Sequence, residues 1–267
     1  MREQKETILL DMEDGIFKIT FNRPDKMNAF SRQMIAEVGV ALERAENDDE
    51  VRVVVIAAVG RAFCAGADLD AVREYFEGPL INSKEFDRFS QSLTKLGTTV
   101  ESLSKPVIAA VNGYTLAGGL EFLNACDLVI CSEAAKFGDQ HTNVGLIGAN
   151  GATQRLPRLI GIRKAKELLL TGDMISAQEA ERLGLVNKVV PADQLDQTVK
   201  DLAMKLASKS PAVSKAVKAL VNEGMQVNLR TALELERLAV IRHHSTEDMK
   251  EGINAFLQKR KPVFTGK

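Results

Sequence analysis

The sequence predicts an α/β part followed by an all-helical part. Up to residue 192, apolar runs of strand length alternate with segments of helical periodicity, which is typical of α/β proteins. Val51 to Ala58 is a continuous run rich in β-branched residues, of the kind that is buried on both faces of a parallel sheet. After residue 192 the apolar residues have helical spacing. We therefore predict two parts, residues 1–192 and 193–267.

The elements of the first part are delimited by local signals. Glu13-Asp14-Gly15 separates two short apolar runs and predicts a hairpin turn. Ser31 predicts the N-cap of a helix that ends at about Asn47. Ser176 with Glu179 forms a capping box at the start of a later helix. Further strands are predicted at Val107 to Val111, Leu128 to Cys131 and Val186 to Val190.

The second part predicts amphipathic helices whose apolar faces need a partner. Ser210-Pro211 is a cap followed by a first-turn proline. One small helical tail cannot bury all these faces by itself, and closed symmetry is the usual solution, so we expect a homo-oligomer. The predicted helices are Leu195 to Ser208, Ala212 to Glu223, Leu229 to His244 and Glu247 to Gln258.

Composition excludes several classes of function. With 35 basic and 36 acidic residues, the chain has no global basic field for nucleic acid or anionic lipid. No apolar run approaches the roughly 18 residues of a membrane span, and the charged segment Met1 to Glu6 is not a signal core, so a cytoplasmic protein is expected. Cys64, Cys126 and Cys131 are odd in number and lie in apolar segments, which predicts reduced core thiols.

Two glycine-bearing turns place polar groups at strand ends. Glu121 follows Gly118-Gly119, just after the run Val107 to Val111, and a second turn spans Ala65 to Leu69. Helix N-termini leave N–H groups unpaired and carry partial positive charge, which suits an oxyanion formed on a thioester or ester. Both features also have structural explanations, since the helix dipole stabilises acidic side chains and glycine is common in tight turns.

A set of short motifs occurs along the chain in one order. These motifs are Asn22-Arg23-Pro24 with Asn28-Ala29, Ala65-Gly66-Ala67-Asp68-Leu69, Lys105-Pro106-Val107-Ile108-Ala109-Ala110-Val111-Asn112-Gly113, Gly118-Gly119-Leu120-Glu121, Cys126-Asp127 and Gly151-Ala152-Thr153-Gln154-Arg155-Leu156. Together they resemble the enoyl-CoA hydratase/isomerase (crotonase) family, from about residue 8 to the C-terminus. The resemblance implies a crotonase-like spiral of ββα units, with a helical region that assembles trimers, often paired into hexamers.

The resemblance also implies roles for particular residues. Glu121 is then one of two acid/base residues, and the backbone N–H groups of Ala67 and Gly118 form the oxyanion hole. Coenzyme A enters as part of an acyl-CoA substrate, and no metal or other cofactor is expected. The residues expected to bind coenzyme A are Lys26, Ala29, Ala65, Gly66, Asp68, Leu69 and Lys259.

His141 is the most consequential departure from the family. Hydratases of the family have a second glutamate at this position, in the loop after Phe137-Gly138. A histidine with an ordinary pKa of about 6.5 exchanges protons at neutral pH, so His141 is the second catalytic candidate. The alternative is a loop histidine without function. Asp139 is a weaker candidate because it precedes the expected position.

Two further departures concern the shape of the pocket. Gly148-Ala149-Asn150-Gly151 stands where the family suggests a proline and a further glycine. The stretch from Asp68 to Pro106 is longer than in short-chain hydratases, which raises the hypothesis of a larger acyl pocket. The alternative is an ordinary helix with core aromatics. Its large apolar residues include Tyr75, Phe76, Leu80, Phe86 and Phe89.

The predicted activity is hydration of a 2-enoyl-CoA to a 3-hydroxyacyl-CoA, or the reverse dehydration. Double-bond isomerisation is the second hypothesis, and thioester hydrolysis or decarboxylation on the same oxyanion hole is the third. A coenzyme A ligand-binding protein with lapsed chemistry is the non-enzymatic alternative. Other mechanisms lack support because the chain has no Gly-x-Ser-x-Gly elbow, Walker loop or His-Glu-x-x-His motif.

Overall fold

The computed structural model describes residues 2–73 and 83–267, and it has the predicted α/β architecture. The strands are β1 (Arg2–Gln4), β2 (Ile8–Glu13), β3 (Ile16–Phe21), β4 (Val53–Ala58), β5 (Ala62–Cys64), β6 (Val107–Val111), β7 (Tyr114–Leu116), β8 (Leu128–Ser132), β9 (Lys136–Gly138), β10 (Met174–Ser176) and β11 (Lys188–Val190). The helices are α1 (Arg32–Asn47), α2 (Leu69–Arg73), α3 (Ser83–Ser102), α4 (Gly118–Leu123), α5 (Ala152–Ile160), α6 (Ile162–Thr171), α7 (Ala177–Arg182), α8 (Leu195–Ala207), α9 (Pro211–Gly224), α10 (Leu229–His243) and α11 (Glu247–Leu257). Short 3₁₀ turns lie at Pro24–Lys26, His141–Val144 and Ala192–Gln194.

The strands of the described residues form two sheets. The larger has the order β1-β2-β3-β4-β6-β8-β11, and the smaller has the order β10-β9-β7-β5. The predicted hairpin joins β2 to β3, with Asp14 and Gly15 at positive φ. From β3 to β11 the pairs of the larger sheet are parallel, and so are β5-β7-β9 of the smaller one. Successive strands alternate between the two sheets, with helices between them, and this arrangement gives the expected spiral of ββα units.

The predicted helix starts are confirmed at atomic detail. Ser31 accepts a hydrogen bond from Met34 N, and Ser176 accepts one from Glu179 N. The strand predicted from Val186 is shorter, because Leu185 and Val186 donate to the carbonyl of Ala180 and close α7 instead. Pairing with β8 is therefore restricted to β11.

The larger sheet is buried on both faces. Helix α8 covers one face, where Leu195, Val199 and Ala203 pack against β4, β6 and β8. Its first residues were predicted to begin the helical tail, yet α8 is part of the core of the first unit. The division at residue 193 remains a prediction about domains.

Helix α9 is anchored to the core by two polar side chains. Lys218 donates to the carbonyl of Val100 and to Asp127 Oδ2, at 2.8 and 2.7 Å. Asn222 Nδ2 donates to the carbonyl of Glu101 at 3.0 Å. These bonds cap the C-terminal turn of α3, where helical carbonyls lack partners.

The tail helices also expose large apolar side chains. Several of them are more than half exposed, which is unusual for a surface without a partner. No helix in the described part of the chain is long and apolar enough to cross a membrane. Cys64, Cys126 and Cys131 are free, as predicted. The exposed apolar residues of α9, α10 and α11 include Val217, Val221, Leu229, Leu233, Val240, Ile241, Phe256 and Leu257.

A cluster of four fully buried phenyl rings lies beneath the two glycine-bearing turns. Phe21 of β3 contacts Phe30, Phe63 and Phe122, with ring centroids 5.7, 5.4 and 5.8 Å away. Phe63 lies in the strand before Ala65, and Phe122 follows Glu121. The rings therefore tie the elements that carry the predicted site into one core.

Replacing Phe122 should destabilise the whole fold. Phe122→Ala leaves a cavity beside the rings of Phe21 and Phe30 and is expected to lower the free energy of unfolding by about 3–5 kcal/mol. Phe122→Leu keeps most of the volume and serves as the control, with a smaller loss. Denaturant unfolding followed by circular dichroism gives both values, and equal losses for the two variants would contradict the packing role.

Candidate active site

Glu121 is held at the start of α4 with one carboxylate oxygen fixed. Its side chain is buried, and Oε1 accepts hydrogen bonds from the backbone N–H groups of Asn150 and Ala152, at 2.8 and 3.2 Å. Ala117, which precedes the helix, has a φ of 48°, an uncommon value for a residue other than glycine. The N-cap region of α5 thus orients Glu121 and leaves Oε2 for other partners.

His141 lies opposite Glu121, as the two-residue catalytic prediction requires. Its Nε2 is 4.0 Å from Glu121 Oε2, and its Nδ1 is 3.0 Å from Asp139 Oδ1. The imidazole is on the short 3₁₀ turn after β9, and about one seventh of the side chain is exposed (14%). Position 141 is therefore part of the same buried cluster as Glu121, and the histidine is not a remote surface residue.

Burial and charge shift the pKa values of both groups. Burial raises the pKa of Glu121, and the His141 charge and the N–H groups of Asn150 and Ala152 oppose this only in part. Burial lowers the pKa of His141, but its hydrogen bond to Asp139 and the charges of Asp139 and Glu121 outweigh burial and raise it overall. The raised pKa of Glu121 moves the ionisation of this carboxyl toward neutral pH, and the raised pKa of His141 favours the protonated imidazole.

The predicted oxyanion-hole amides are neighbours. A Cβ atom built on Gly118 would lie only 3.4 Å from Ala67 N, so the two turns meet at these backbone groups. Within residues 2–73 and 83–267, neither the Ala67 nor the Gly118 N–H donates to another protein group. Gly118 opens α4, where the helix dipole adds partial positive charge. Glu121 is one helical turn further on, beside the same pair of amides.

Gly66 is required for the contact between the turns. Its φ is 106°, and a Cβ atom there would lie 2.9 Å from Ala117 Cβ and 3.0 Å from Gly118 N. Since the Cβ would point at Gly118, a side chain at Gly66 would separate the two turns and distort the oxyanion hole.

The residues predicted to bind coenzyme A, except Lys259, lie in two adjacent segments. The segment with Lys26 and Ala29 runs beside the Ala65–Leu69 turn, because Phe30 N donates to the carbonyl of Gly66 and Asp68 N donates to that of Phe30. Leu69 is exposed and Ala65 is half-buried.

Two of the charged members of this set, Lys26 and Asp68, already have protein partners. Lys26 forms an exposed ion pair with Asp70 at 2.8 Å, so a phosphate would compete with that carboxylate. Asp68 is buried and pairs with Arg23 at 2.8 Å, which ties the two segments together. Lys259 is exposed after α11, and no hydrogen bond or ion pair of the described residues joins it to either segment.

The aromatic residues proposed to cover an acyl chain are only partly within the described residues. Phe89 is buried in the main core and Phe86 packs against that core, which is the ordinary helical role. Tyr75, Phe76 and Leu80 lie outside the described residues.

Arg155 was not identified from the sequence as a residue that shapes the site, and Gly148 was noted only as a departure from the family. Arg155 binds Glu101 of α3 through Nε and Nη2, at 3.1 and 2.7 Å, and its Nη1 donates to the carbonyl of Asn150. It therefore fixes the loop that orients Glu121. Gly148 touches both catalytic candidates, since a Cβ there would be 2.8 Å from Glu121 Oε1 and 3.2 Å from His141 Nδ1. The departure from the family at Gly148 was the sequence signal for this role.

Metal binding has no support in the described part of the chain. No group of three or more His, Cys, Asp or Glu side chains there is arranged to hold a metal ion.

Comparisons with known proteins show the family to which the chain belongs. Residues 11–267 match the family model described as enoyl-CoA hydratase/isomerase. The chain is 40% identical to a short-chain-enoyl-CoA hydratase of Clostridium acetobutylicum over 95% of both chains. It is 39% identical to a crotonyl-CoA hydratase of Syntrophomonas wolfei over 98% of this chain and 99% of that one. A crystal structure of an enoyl-CoA hydratase from Bacillus anthracis superposes with a TM-score of 0.93 at 38% identity, covering 98% of this chain and 100% of the other. The chain therefore belongs to the enoyl-CoA hydratase/isomerase family.

Gly148→Ala should damage the site without damaging the fold. Gly148 is not in the left-handed region, so the new methyl group adds steric contact with Glu121 and His141 rather than backbone strain. A displacement of about 1 Å can cost 10²-fold in rate, and we expect kcat to fall about 10- to 100-fold. Steady-state kinetics and a thermal melt give the two measurements.

Gly39→Ala is the matched control for Gly148→Ala. Gly39 is inside α1, and its new Cβ would make an ordinary 3.8 Å contact with Leu96. We expect unchanged kinetics and slightly greater stability, because alanine is the better helix former. If both variants retain parental kcat, Gly148 does not shape the site.

Proposed function

We propose that this protein hydrates a 2-enoyl-CoA to a 3-hydroxyacyl-CoA and catalyses the reverse dehydration. The observation that carries the proposal is the meeting of three groups: the Gly118 amide at a helix N-terminus, Glu121 one turn later, and His141 4.0 Å from that carboxylate. An acid, a base and an oxyanion hole are what addition of water to an α,β-unsaturated thioester needs. The related proteins named as hydratases support the same reaction.

The proton path follows from the two side chains. The oxygen of water bonds to the substrate Cβ while its proton passes to the ionised Glu121, and the electrons of the double bond move to the thioester oxygen. The N–H groups of Ala67 and Gly118 stabilise the resulting enolate. The imidazolium of His141 then gives a proton to Cα. Transfer of the proton from Glu121 to His141 restores the starting state, so one water is added per turnover.

The other activities are less suited to this arrangement. Isomerisation needs only one base that moves a proton between carbons, so it would not require the largely buried His141 as a second acid/base group. Hydrolysis needs attack at the thioester carbon, for which the described residues suggest no dedicated nucleophile. A protein that only binds ligand would not require a buried Glu121 with a raised pKa.

The proposed reaction requires no metal or organic cofactor. Protons and water are the only species exchanged, and coenzyme A is carried in as part of the substrate. Lys26, Ala29, Ala65, Gly66, Asp68, Leu69 and Lys259 are the residues proposed to bind it. A cytoplasmic location belongs to the same proposal, and the three free thiols support it because disulfides are typical of oxidising compartments.

Glu121→Gln should abolish most of the turnover. The amide keeps the shape of the side chain but cannot accept the proton from water, so kcat/KM with crotonyl-CoA should fall by about 10²–10⁴-fold. Loss of the conjugated thioester absorbance measures the rate, and calorimetry with a saturated acyl-CoA shows that binding remains.

Glu179→Gln is the control for removal of a carboxylate. Glu179 also lies in the first turn of a helix, but it is not one of the predicted site residues and forms an ion pair with Arg182. Its activity should equal that of the parent. Parental turnover by Glu121→Gln would move the search for the base to His141 and Asp139.

The pH profile of kcat/KM should be bell-shaped. Glu121 must be ionised, so activity rises with pH through a pKa raised above its ordinary value of 4.5. His141 must be protonated, so activity falls with further increase in pH through a pKa raised above 6.5. Because the two groups interact, the apparent pKa values of the two limbs belong to the pair and not to either residue alone. His141→Gln should lose the alkaline limb and retain a smaller activity, and an unchanged limb would remove His141 from the mechanism.

The protein is further proposed to be a homotrimer or a homohexamer. Val217 and Val221 are 55% and 60% exposed and lie one turn apart on α9, and Leu229 and Phe256 are 73% and 83% exposed. Apolar side chains that are more than half exposed on adjacent helices favour self-association into a closed oligomer.

Light scattering should give three or six times the 29.2 kDa mass of one chain. Val217→Glu combined with Val221→Glu places two charges on the apolar face and should shift the mass toward the monomer. Lys215→Glu on the same helix adds a charge away from that face and should not. A monomeric parent at micromolar concentration and neutral pH would refute the assembly.

A further inference from the structure

Asp139 is a buried carboxylate that no step of the proposed reaction uses. Its side chain is 3% exposed, and Oδ1 lies 3.0 Å from His141 Nδ1. Its other oxygen, Oδ2, is buried and has no hydrogen-bond partner among the described residues. A carboxylate in this state is costly unless a nearby charge compensates it.

His141 is the side chain that provides this charge. The buried carboxylate of Asp68 pairs with a permanent cation, Arg23, at 2.8 Å. The buried carboxylate of Asp248 accepts hydrogen bonds from the Ser210 hydroxyl and from the backbone N–H groups of Thr265 and Gly266. In the described part of the chain, the ion-pair partner of Asp139 is His141. The two residues therefore depend on each other.

The backbone is shaped to bring the two side chains together. Asp139 and His141 are separated by Gln140, which adopts a φ of 60°. The Gln140 side chain is anchored on the carbonyl of Gly172, and Asn143 Nδ2 donates to the same carbonyl at 3.1 Å. This left-handed turn is stabilised by its own side chains and holds residues two apart in contact.

The contact decides which ring nitrogen faces Glu121. A carboxylate accepts hydrogen bonds, so Nδ1 of His141 carries a hydrogen and donates it to Asp139. Nε2 is then the nitrogen directed at Glu121 Oε2, 4.0 Å away. Without Asp139, the ring is free to protonate at either nitrogen and to rotate.

We propose that Asp139 is a positioning residue that holds His141 in the Nδ1–H form with Nε2 toward Glu121. We infer equally that Asp139 and His141 are a matched pair, because a glutamate at position 141 would lie against the Asp139 carboxylate. The contribution to catalysis rests on the proposed hydration. The tautomer and the pairing do not depend on it.

The charged groups around the imidazole are few. Glu121 faces it from α4 and Asp139 faces it from the end of β9. Helix α6, which packs against the 3₁₀ turn, carries Lys164 in an ion pair with Glu167 at 2.9 Å. The further charged side chains of α6, Arg163 and Lys166, are exposed. Ionisation of His141 therefore reports mainly on Asp139 and Glu121.

Nitrogen NMR of the histidine rings tests the tautomer directly and without substrate. At a pH where the ring is neutral, His141 should show a protonated Nδ1, and its signal is identified by its loss in His141→Gln. In Asp139→Asn the titration midpoint of His141 should move to lower pH, since the compensating charge is gone. A protonated Nε2 in the parent overturns the proposal even if Asp139→Asn fails to fold, and so does an unchanged midpoint.

Kinetics test the positioning role. Asp139→Asn should lower kcat with crotonyl-CoA by about tenfold or more, part of the 10²–10⁴-fold that an acid/base group supplies, with KM within about twofold. The alkaline limb of the pH profile should move to lower pH. Asp248→Asn also removes a buried carboxylate, one that binds the backbone of Thr265 and Gly266, and it should lower stability without moving that limb. An unmoved limb in Asp139→Asn overturns the role.

Thermal unfolding tests the matched pair. His141→Glu should lower the melting temperature because two carboxylates then meet in a buried site. Adding Asp139→Asn should raise it again, although the same change does not raise it in the parent. Equal shifts in both backgrounds overturn the pairing. If the parent shows no hydration at all, the proposed function fails, whereas the NMR and melting results still decide the role of Asp139.

Discussion

The whole site depends on the close approach of two backbone turns. Gly119 packs so tightly that a Cβ atom there would lie 2.2 Å from the carbonyl oxygen of Cys64, and Gly66 meets Gly118 in the same way. Only glycine permits this approach. It aligns the Ala67 and Gly118 amides, and through the helix that starts at Gly118 it also determines where Glu121 points. The phenyl cluster below resists separation of the turns.

Electrostatics in the site follow from removal of water. Glu121 would be strongly destabilised as an anion if Asn150 and Ala152 did not donate to one of its oxygens. The fixed oxygen is stabilised and the free one remains reactive. An imidazolium at His141 cancels the charge of an ionised Glu121. The buried carboxylate of Asp139 then leaves the cluster with a net charge of one negative unit, shared among three interacting groups.

Much of this was legible in the sequence because it is locally encoded. The cap at Ser31, the strand Val107–Val111 and the placement of Glu121 after two glycines each depend on a few neighbouring residues. Features that depend on distant contacts were not predicted. Helix α8 has the same amphipathic pattern as the tail helices, and periodicity cannot tell which surface it covers. The amides of Asn150 and Ala152 carry no sequence signal, since any residue provides an N–H group.

The anchoring of α9 bears on how independent the two parts of the chain are. Lys218 supplies the counter-charge of Asp127 and donates a hydrogen bond to the carbonyl of Val100 near the end of α3. The same helix carries Glu101, which binds Arg155. A chain that lacked α9 would leave Asp127 uncompensated and α3 frayed beside the loop that orients Glu121. The tail is thus an integral part of the structure that holds the active site. The gene segment that encodes it is therefore not an independent module that evolution can exchange freely.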